Sequence, residues 1–415
     1  MDSPIIPEIQ LADYSYNLPQ HRIADFPLPN RDESKLLVAT AGNGSISHSE
    51  FQHIAEYIPE DSMMVFNNTK VIPARLIMKK QTGGEVELLL IEPIIPAVAQ
   101  LALQETGTTT WMCIVGGKNV REQSTLTAQS QGITLTAYIK SRTENKAEVE
   151  FTITPNNTTL ADAISVIGAI PLPPYIKRTA NTHDTERYQT VYAQHNGSVA
   201  APTAGLHFTP SVLESLQRKN ITQANVTLHV GLGTFLPIQS ESIANHTMHK
   251  ERITIDIETI ITLRDFFATR TTEQRFVCVG TTSVRTIESL YWIGVRLLQN
   301  ELSLLTDVLL LRQWDCYRLS KTTLPTVAES LQCVIAILQE NGLNYLSGET
   351  EIIIVPGYEF KCCDTLITNF HQPQSTLILL VAAFTGGMFW KDIYSSALEN
   401  NYRFLSYGDS SILFR

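Results

Sequence analysis

The sequence contains little that would indicate redox or metal chemistry. Its 415 residues include only six cysteines, and none of them form a Cys-x-x-Cys pair. Such pairs build most zinc and iron–sulfur sites, so we expect free core cysteines and no iron–sulfur cluster. A His-Glu-x-x-His motif is also absent, although the proximity of His246, His249 and Glu251 leaves a metal site open as an alternative to hydrogen-bonded or acid–base histidines.

Signals for export, membrane insertion and two common enzyme classes are missing as well. The first residues lack the basic region and apolar run of a secretory signal, and the longest nearly apolar run, 376–390, is shorter than the ~20 residues that a membrane helix requires. We therefore expect a cytoplasmic protein with no membrane segment. The chain also has no Gly-x-x-x-x-Gly-Lys-Ser/Thr loop and no Gly-x-Ser-x-Gly elbow, which excludes ordinary P-loop enzymes and α/β-hydrolases.

Basic residues are outnumbered by acidic ones, and the formal net charge is −10. This balance argues against nonspecific binding of nucleic acid. The stretch 70–146 departs from it, with nine basic residues against six glutamates. That stretch is either a local contact surface for nucleic acid or an ordinary solvated surface, and the charge count does not separate the two.

The hydrophobic pattern changes twice along the chain. Apolar residues at helical spacing predict an amphipathic helix over 51–58, and from Val71 to Thr154 a period of two with glycine turns predicts a small barrel. After Pro155, strands alternate with helices, which is typical of a largely parallel sheet covered by helices. The predicted strands are 225–230, 276–279 and 351–355, and the predicted helices are 210–219, 284–298 and 327–338.

We therefore predict an α/β protein with two domains. The main domain, residues 1–70 and 156–415, is a layered α/β domain with a mixed, largely parallel sheet. The second domain, residues 71–155, is a small all-β barrel inserted into the first.

Four segments that follow predicted strands or bridge them could bind a ligand, because ligands of open α/β sheets bind at the carboxyl ends of the strands. Each also has a structural explanation. Gly231–Phe235 could be a tight packing turn, and in Gly280–Arg285 the side chain of Ser283 could cap a helix. The small-residue stretch Gly197–Phe208 could be a packed crossover, and in Thr368–Thr376 a helix could be capped by Ser375 or Thr376.

Several long and unusual motifs, in order along the chain, resemble the S-adenosylmethionine:tRNA ribosyltransferase-isomerase family of queuosine biosynthesis. The motifs are Asn67–Arg75, Arg187–Ala193, Gly197–Phe208, Thr227–Phe235, Gly280–Thr286, Thr368–His371 and Tyr402–Asp409. The resemblance runs from the Tyr14–Leu37 segment to the C-terminus. It implies a β-barrel inserted in an α/β domain, in agreement with the periodicity.

The resemblance also implies an activity. The ribosyl part of S-adenosylmethionine moves to 7-aminomethyl-7-deazaguanine in the tRNA anticodon, which gives epoxyqueuosine-tRNA, adenine and methionine. S-adenosylmethionine is the cosubstrate, no other cofactor or metal is expected, and tRNA bearing the modified guanine is the partner. We expect a monomer.

Residue roles follow from the matched motifs and remain hypotheses. Histidines titrate near the working pH, so those in the matched loops are our acid–base candidates. The predicted catalytic residues are His207, His229, His371 and Asp409. The predicted substrate-binding residues are Thr203, Gly205, Gly231, Gly233, Thr234, Thr281, Thr282, Ser283, Arg285, Asn369 and Tyr407. The predicted contacts to nucleic acid are Arg75, Lys177, Arg178 and Arg187.

Two other function classes stay open at the level of sequence. A methyltransferase of Rossmann type would use the same cosubstrate but release S-adenosylhomocysteine. A noncatalytic RNA-binding relative would bind the anticodon stem-loop and consume nothing.

Overall fold

A computed structural model describes residues 6–117, 120–231, 238, 242–302 and 309–415. The strands within these ranges are β1 (Lys35–Thr40), β2 (Ser45–Glu50), β3 (Met63–Asn67), β4 (Thr69–Val71), β5 (Arg75–Lys80), β6 (Glu85–Ile95), β7 (Thr108–Gly116), β8 (Thr125–Ser130), β9 (Ile133–Thr143), β10 (Lys146–Thr154), β11 (His195–Ser198), β12 (Thr222–Leu228), β13 (Glu251–Asp256), β14 (Phe276–Val279), β15 (Leu310–Leu311), β16 (Tyr345–Thr350), β17 (Thr365–Asn369) and β18 (Ser410–Phe414). The α-helices are α1 (Ala99–Gln104), α2 (Leu160–Ile167), α3 (Asp184–Arg187), α4 (Pro210–Gln217), α5 (Ile257–Thr269), α6 (Thr281–Leu298), α7 (Asp315–Leu319), α8 (Val327–Glu340), α9 (Thr376–Thr385) and α10 (Phe389–Glu399).

The main sheet has the strand order β15-β16-β13-β12-β3-β14-β17-β18-β1-β2 among the described residues. Its four central neighbours, β12, β3, β14 and β17, run parallel to one another. Antiparallel pairs follow on both sides, so the sheet is mixed, as predicted. The carboxyl ends of the central strands consequently meet at one edge of the sheet.

Burial explains why the central strands read as continuous apolar runs. Every residue of β3 and β14 is buried, as expected for strands covered on both faces. Helix α6 covers this part of the sheet and is itself buried along almost its whole length, with α8 packed on its outer side. The layered α/β architecture is thereby confirmed.

The second unit is a closed antiparallel barrel with the strand order β10-β7-β6-β5-β8-β9. Alternate residues of each strand point into its core, and residues of α1 and α2, such as Leu103 and Leu160, complete that core. The inserted all-β barrel is confirmed. Its strands lie between Arg75 and Thr154, and the domain boundaries given above stay predictions.

Two predicted elements differ in the structure. The segment Phe51–Tyr57 is a 3-10 helix rather than the predicted α-helix, although 3-10 runs of this length are uncommon. The apolar run 351–355 is buried but is not a strand, because β16 ends at Thr350. The N–H of Glu351 donates to the carbonyl of Leu311 in β15, and side chains satisfy the backbone beyond it: Arg285 donates to the carbonyl of Ile352, and the Tyr317 hydroxyl donates to that of Ile353.

Among the described helices, none is by itself long and apolar enough to cross a membrane. Helices α9 and α10 together have the length and apolar composition of a membrane span, but the chain bends by 111° between them.

Candidate active site

A cavity, which we call the main cavity, opens at the carboxyl ends of the central parallel strands. It encloses about 640 Å³ of space, including space open to solvent. Its walls come from the turn after β14, the end of β17 and the residues after it, the small-residue stretch after β11, and the Tyr402–Asp409 motif. Among its lining residues are Tyr175, Thr203, Val230, Gly280, Thr281, Thr282, Thr368, Asn369, His371 and Ser406. This is the edge where open α/β sheets bind their ligands.

The turn between β14 and α6 presents two threonines to the main cavity. Gly280 has a φ of +87°, which only glycine adopts readily, and this brings the backbone directly from the strand into the helix. Thr281 and Thr282 then line the cavity. The Oγ1 atom of Thr282 is buried and has no hydrogen-bond partner among the described residues. A bound ligand would supply that partner.

Ser283 does not cap helix α6. Gly280 occupies the N-cap position, and the Ser283 hydroxyl lies inside the helix and donates to the carbonyl of Val279 at 2.7 Å. The hydroxyl is therefore already used within the protein, and Ser283 does not line the main cavity. Its predicted role in binding substrate remains a prediction.

Asn369, at the end of β17, is held in one orientation by its nitrogen. Its Nδ2 donates to the carbonyl of Leu405 at 3.2 Å and lies 3.4 Å from the carbonyl of Asp409. Its Oδ1 is buried without a partner in the described part of the chain, and the residue lines the main cavity. Asn369 thus offers a fixed acceptor to a ligand, in keeping with its predicted binding role.

His207 is held between two side chains behind the main cavity. Nδ2 of Asn369 donates to His207 Nε2 at 3.2 Å, so the ring proton lies on Nδ1 and is donated to Ser34 Oγ at 2.7 Å. Burial, followed by the nearby Arg403, lowers the pKa of His207 to about 3. Both ring nitrogens of this neutral histidine are therefore engaged within the protein.

His371 lies in the wall of the main cavity. Its Nε2 is 2.8 Å from the Thr368 hydroxyl, and its backbone N–H donates to the hydroxyl of Tyr394. Burial lowers the pKa of His371 to about 3, so the imidazole is neutral at the working pH. Of the three predicted histidines, His371 is the one that lines the main cavity.

His229 is directed toward the barrel side of the molecule. Its Nδ1 is 2.9 Å from the Thr69 hydroxyl, and its ring packs on Gly197, where a Cβ would lie 2.9 Å from the ring. Burial, then Arg252, lowers its pKa to about 4. His229 is not among the residues that line the main cavity, although its neighbour Val230 is.

Part of the small-residue stretch forms one wall of the main cavity, and its contact with a ligand stays a prediction. Residues 201–204 line it, with Thr203 at the start of a 3-10 helix. Gly205 has a different reason to be glycine, because a Cβ there would lie 2.0 Å from the hydroxyl oxygen of Tyr192. Opposite, the hydroxyls of Tyr175 and Ser406 form a 2.6 Å hydrogen bond.

A second cavity of about 530 Å³ adjoins the main one, and Leu377 lines both. It contains a buried ion pair between Arg285 Nη1 and Glu251 Oε2. Arg285 therefore points into the second cavity and not into the main one, where Thr281 and Thr282 lie. Burial lowers the pKa of Arg285 to about 10, so the guanidinium is charged at neutral pH.

A third, basic cavity lies on the other side of the main cavity, and Ser406 lines both. It encloses about 290 Å³ and is lined by Arg31, Arg187, Arg403, His207 and Tyr407 among others. Arg31 and Arg187 give their side-chain hydrogen bonds to backbone carbonyls, so no carboxylate hydrogen-bonds to either guanidinium among the described residues. The cavity consequently carries net positive charge.

Asp409 organises the loop that closes the third cavity. Its carboxylate accepts the backbone N–H groups of Lys35 at 3.1 Å and of Arg403 at 2.7 Å. Burial raises the pKa of Asp409. Asp409 does not line the main or the third cavity, and its predicted catalytic role stays a prediction.

The other predicted contacts to nucleic acid differ in whether their charged groups are paired with carboxylates. Arg178 makes two 2.7 Å hydrogen bonds to Asp184, which also accepts the Tyr407 hydroxyl. Arg75 is paired with Glu87 at 2.9 Å on the barrel surface. Lys177 is exposed. The structure therefore does not bring these residues together with Arg187 in one cavity.

Two predicted substrate-binding residues, Gly233 and Thr234, lie outside the described residues. Gly231 is described, and apart from its chain neighbours no atom of the described residues lies within 4 Å of a Cβ placed there.

The metal site that the sequence left open can be compared with the structure. His246, His249 and Glu251 all line the second cavity. Within the described ranges, however, no group of three or more His, Cys, Asp or Glu side chains is arranged to hold a metal ion.

Sequence reasoning did not assign several residues that the fold brings to the three cavities. They are Tyr175, Ser406, Arg31 and Arg403; Glu251 was considered as a metal ligand but not as the partner of Arg285. Ser406 and Arg403 lie inside the matched Tyr402–Asp409 motif, so the motif itself was the available signal. No such signal indicated the position of Arg31 or the pairing of Glu251 with Arg285, because their partners are distant along the chain.

A mixed α/β sheet with an inserted barrel, and a cavity at its strand ends where polar atoms are buried without a partner among the described residues, defines a ligand-binding protein of the α/β class. The sequence profile of the family described as "Queuosine biosynthesis protein" matches residues 11–413. The chain belongs to this family, and because its relatives of 35–37% identity are named as ribosyltransferase-isomerases, it is an enzyme of the transferase and isomerase kind.

Individual relatives cover almost the whole chain. An S-adenosylmethionine:tRNA ribosyltransferase-isomerase of Trichlorobacter lovleyi is 35% identical over 404 residues, covering 97% of this chain and 99% of that protein. One of the same name from Thermotoga maritima is 36% identical over 406 residues, covering 98% and 100%. A crystal structure of S-adenosylmethionine tRNA ribosyltransferase from Thermotoga maritima covers 97% of this chain and 100% of its own at 28% identity, with a TM-score of 0.46.

Proposed function

We propose that this enzyme transfers and isomerises the ribosyl part of S-adenosylmethionine onto 7-aminomethyl-7-deazaguanine in the tRNA anticodon. The products are epoxyqueuosine-tRNA, adenine and methionine. The family assignment and the names of the relatives support the class of reaction. A cytoplasmic location follows from the proposed tRNA substrate and stays a prediction.

The observation that carries the proposal is the pair of unpartnered polar atoms in the main cavity. Thr282 Oγ1 and Asn369 Oδ1 are both buried there without a partner among the described residues. A buried polar group without a hydrogen bond costs about 1–3 kcal/mol, so these positions favour a ligand with hydroxyl or amino groups. The sugar and base of a nucleoside provide both. We therefore assign Thr203, Thr281, Thr282 and Asn369 to the nucleoside of S-adenosylmethionine.

The chemistry begins at the carbon next to the sulfonium. The positive sulfur acidifies the ribosyl C5′, so a base can remove a proton there, and adenine takes up a proton as it leaves and the sugar ring opens. The exocyclic amine of the modified guanine then attacks, and closure of the epoxide expels methionine. A water-poor cavity protects the opened intermediate from hydrolysis.

His371 is the side chain that we assign as the base. It lines the main cavity, and its lowered pKa keeps it in the base form throughout the neutral range, although at reduced basicity. Acting as a base requires the tautomer in which Nε2–H donates to Thr368 Oγ1 and Nδ1 carries the free lone pair. His207, with both nitrogens engaged, is assigned to holding Asn369 in place.

The third cavity is the position we propose for a tRNA phosphate. It is basic, it shares Ser406 with the main cavity, and it contains Arg187, one of the predicted contacts. A phosphate bound there would place the adjoining nucleotide at the mouth of the main cavity. Arg75, Lys177 and Arg178, which do not line the third cavity, stay predicted contacts to nucleic acid outside it.

Product analysis tests the proposal. Purified enzyme is incubated with S-adenosylmethionine and tRNA that carries 7-aminomethyl-7-deazaguanine; the small products are separated and the anticodon nucleoside is weighed by mass spectrometry. We expect adenine and methionine in equal amounts. Release of S-adenosylhomocysteine would instead identify a methyltransferase, and binding of tRNA without any consumption of S-adenosylmethionine would identify a noncatalytic RNA-binding protein.

A further inference from the structure

The buried Arg285–Glu251 pair leaves one guanidinium donor unused. Arg285 Nη1 pairs with Glu251, and Nε lies 3.2 Å from the carbonyl oxygen of Ile352. Nη2 is buried and has no hydrogen-bond partner among the described residues. Arg285 is only 5% exposed, so water does not readily satisfy this donor. A ligand group that accepts a hydrogen bond at Nη2 would remove the cost of leaving it unpaired.

The charge of the pair indicates what kind of ligand fits. One guanidinium and one carboxylate sum to zero, so a lone anion would leave the second cavity with net negative charge in a buried environment. A ligand that presents a carboxylate beside an ammonium group keeps the sum at zero. Its carboxylate would face Arg285, and its ammonium would face Glu251, whose carboxylate can accept more than one hydrogen bond.

The remaining walls of the second cavity suit an aliphatic chain. Met248, Leu380 and the run Ile352–Ile354 supply apolar surface. His246 and His249 complete the lining, and burial lowers the pKa of both, so they are neutral near pH 7. An amino acid with a short apolar side chain therefore matches the second cavity in charge and in surface.

The second cavity lies close enough to the main one for a single ligand to reach both. Arg285 lies four residues after Thr281 on the same face of α6, which corresponds to about 6 Å along the helix axis. Leu377 lines both cavities. A nucleoside in contact with Thr281 can thus extend a substituent of a few bonds toward Arg285.

We propose that Arg285 and Glu251 bind the amino-acid end of S-adenosylmethionine in the second cavity, with the nucleoside in the main cavity. This inference rests on the proposed function. It assigns Arg285, a predicted substrate-binding residue, to the carboxylate, and it adds Glu251 as the partner of the ammonium. The sulfonium then lies between the cavities, near Leu377.

The test compares two unreactive ligands that differ in the amino-acid end. S-adenosylhomocysteine has it, and 5′-deoxy-5′-(methylthio)adenosine lacks it. Wild-type enzyme, measured by isothermal titration calorimetry, is expected to bind the former about tenfold or more tightly. In the Arg285→Gln/Glu251→Gln double variant, which removes both buried charges together, the preference should disappear while the affinity for the methylthio compound is kept.

Controls separate this inference from a merely structural role of the pair. Arg296 is an arginine of the same helix that is paired with Asp315 at 3.2 Å and lines none of the three cavities. The Arg296→Gln variant should therefore prefer S-adenosylhomocysteine over the methylthio compound as strongly as wild type does. If the double variant does not fold, the methyl ester of S-adenosylhomocysteine replaces it: wild-type enzyme should bind the ester about tenfold more weakly than the free acid.

Three outcomes overturn the inference. The first is a folded double variant that still prefers S-adenosylhomocysteine as strongly as wild type does. The second is a methyl ester that binds wild-type enzyme with the same affinity as the free acid. In both cases the proposed function stands, because the nucleoside still binds. If neither adenosine compound nor S-adenosylmethionine itself binds the wild-type enzyme, the proposed function fails, and the inference fails with it.

Discussion

Replacing Thr282 with valine should change stability and ligand affinity in opposite directions. Valine has nearly the shape of threonine, so Thr282→Val removes the hydroxyl and little else. In the ligand-free protein this hydroxyl is buried without a partner among the described residues. Removing an unsatisfied group recovers part of a desolvation cost of about 1–3 kcal/mol, so the variant should be at least as stable as wild type.

Ligand binding should become weaker in the same variant. The proposed nucleoside would supply the missing partner of Thr282 Oγ1, and a hydrogen bond contributes a net of about 0.5–1.5 kcal/mol. The affinity for S-adenosylhomocysteine should therefore fall by a factor of about 2 to 12. Calorimetric titration measures the affinity, and denaturant unfolding measures the free energy of unfolding.

Thr286→Val is the matched control. Thr286 lies one turn farther along α6, is fully buried, and donates from Oγ1 to the carbonyl of Thr282 at 2.9 Å. Its loss should destabilise the protein by about 0.5–1.5 kcal/mol and leave ligand affinity unchanged. The reasoning is refuted if Thr282→Val destabilises the ligand-free protein as Thr286→Val does, or if it binds S-adenosylhomocysteine with wild-type affinity.

Three more predictions concern the histidines and the basic cavity. Because the pKa values of His207 and His371 are lowered to about 3, the folded protein takes up fewer protons than the unfolded chain below pH 6.5. The free energy of unfolding should therefore fall by about 2 kcal/mol per histidine between pH 7 and pH 5, and a free energy of unfolding that does not change over this range would contradict the prediction. His371→Ala should lower kcat by about 10²–10⁴-fold, and the wild-type rate should show no ionisation near pH 6.5; a loss of less than tenfold excludes direct proton transfer. Arg187→Gln should reduce the slope of log affinity for tRNA against log salt by about 0.7–0.9, whereas the surface variant Arg264→Gln should not, and equal slopes would remove the third cavity from the RNA contact.

The central part of the fold could be predicted from sequence because its burial is simple. Strands covered on both faces, such as β14, give uninterrupted apolar runs, and the helix that follows shows a clear helical period. The barrel strands alternate with a period of two for the same reason. The run 351–355 misleads because burial alone does not make a strand. The N–H of Glu351 still donates to the carbonyl of Leu311 in β15, but the backbone beyond it is bonded by side chains such as those of Arg285 and Tyr317.

The site was predictable in its loops but less so in its individual atoms. Asn369 and Thr282 belong to strand-end motifs, and both line the main cavity. The direction of a side chain depends on packing, which the sequence does not contain: Ser283 turns back to its own helix, and Arg285 reaches a different cavity from its neighbours. The Arg285–Glu251 pair joins residues on α6 and β13, which no local pattern relates.

The fate of the hydrogens on the ribosyl C5′ tests the central claim most directly. The enzyme is given precursor-bearing tRNA and S-adenosylmethionine with deuterium in place of both hydrogens at that carbon, and the anticodon nucleoside is analysed by mass spectrometry. Removal of a proton next to the sulfonium predicts that one deuterium is lost to water and one is retained, with release of adenine. A modified nucleoside that retains both deuterium atoms would contradict the account.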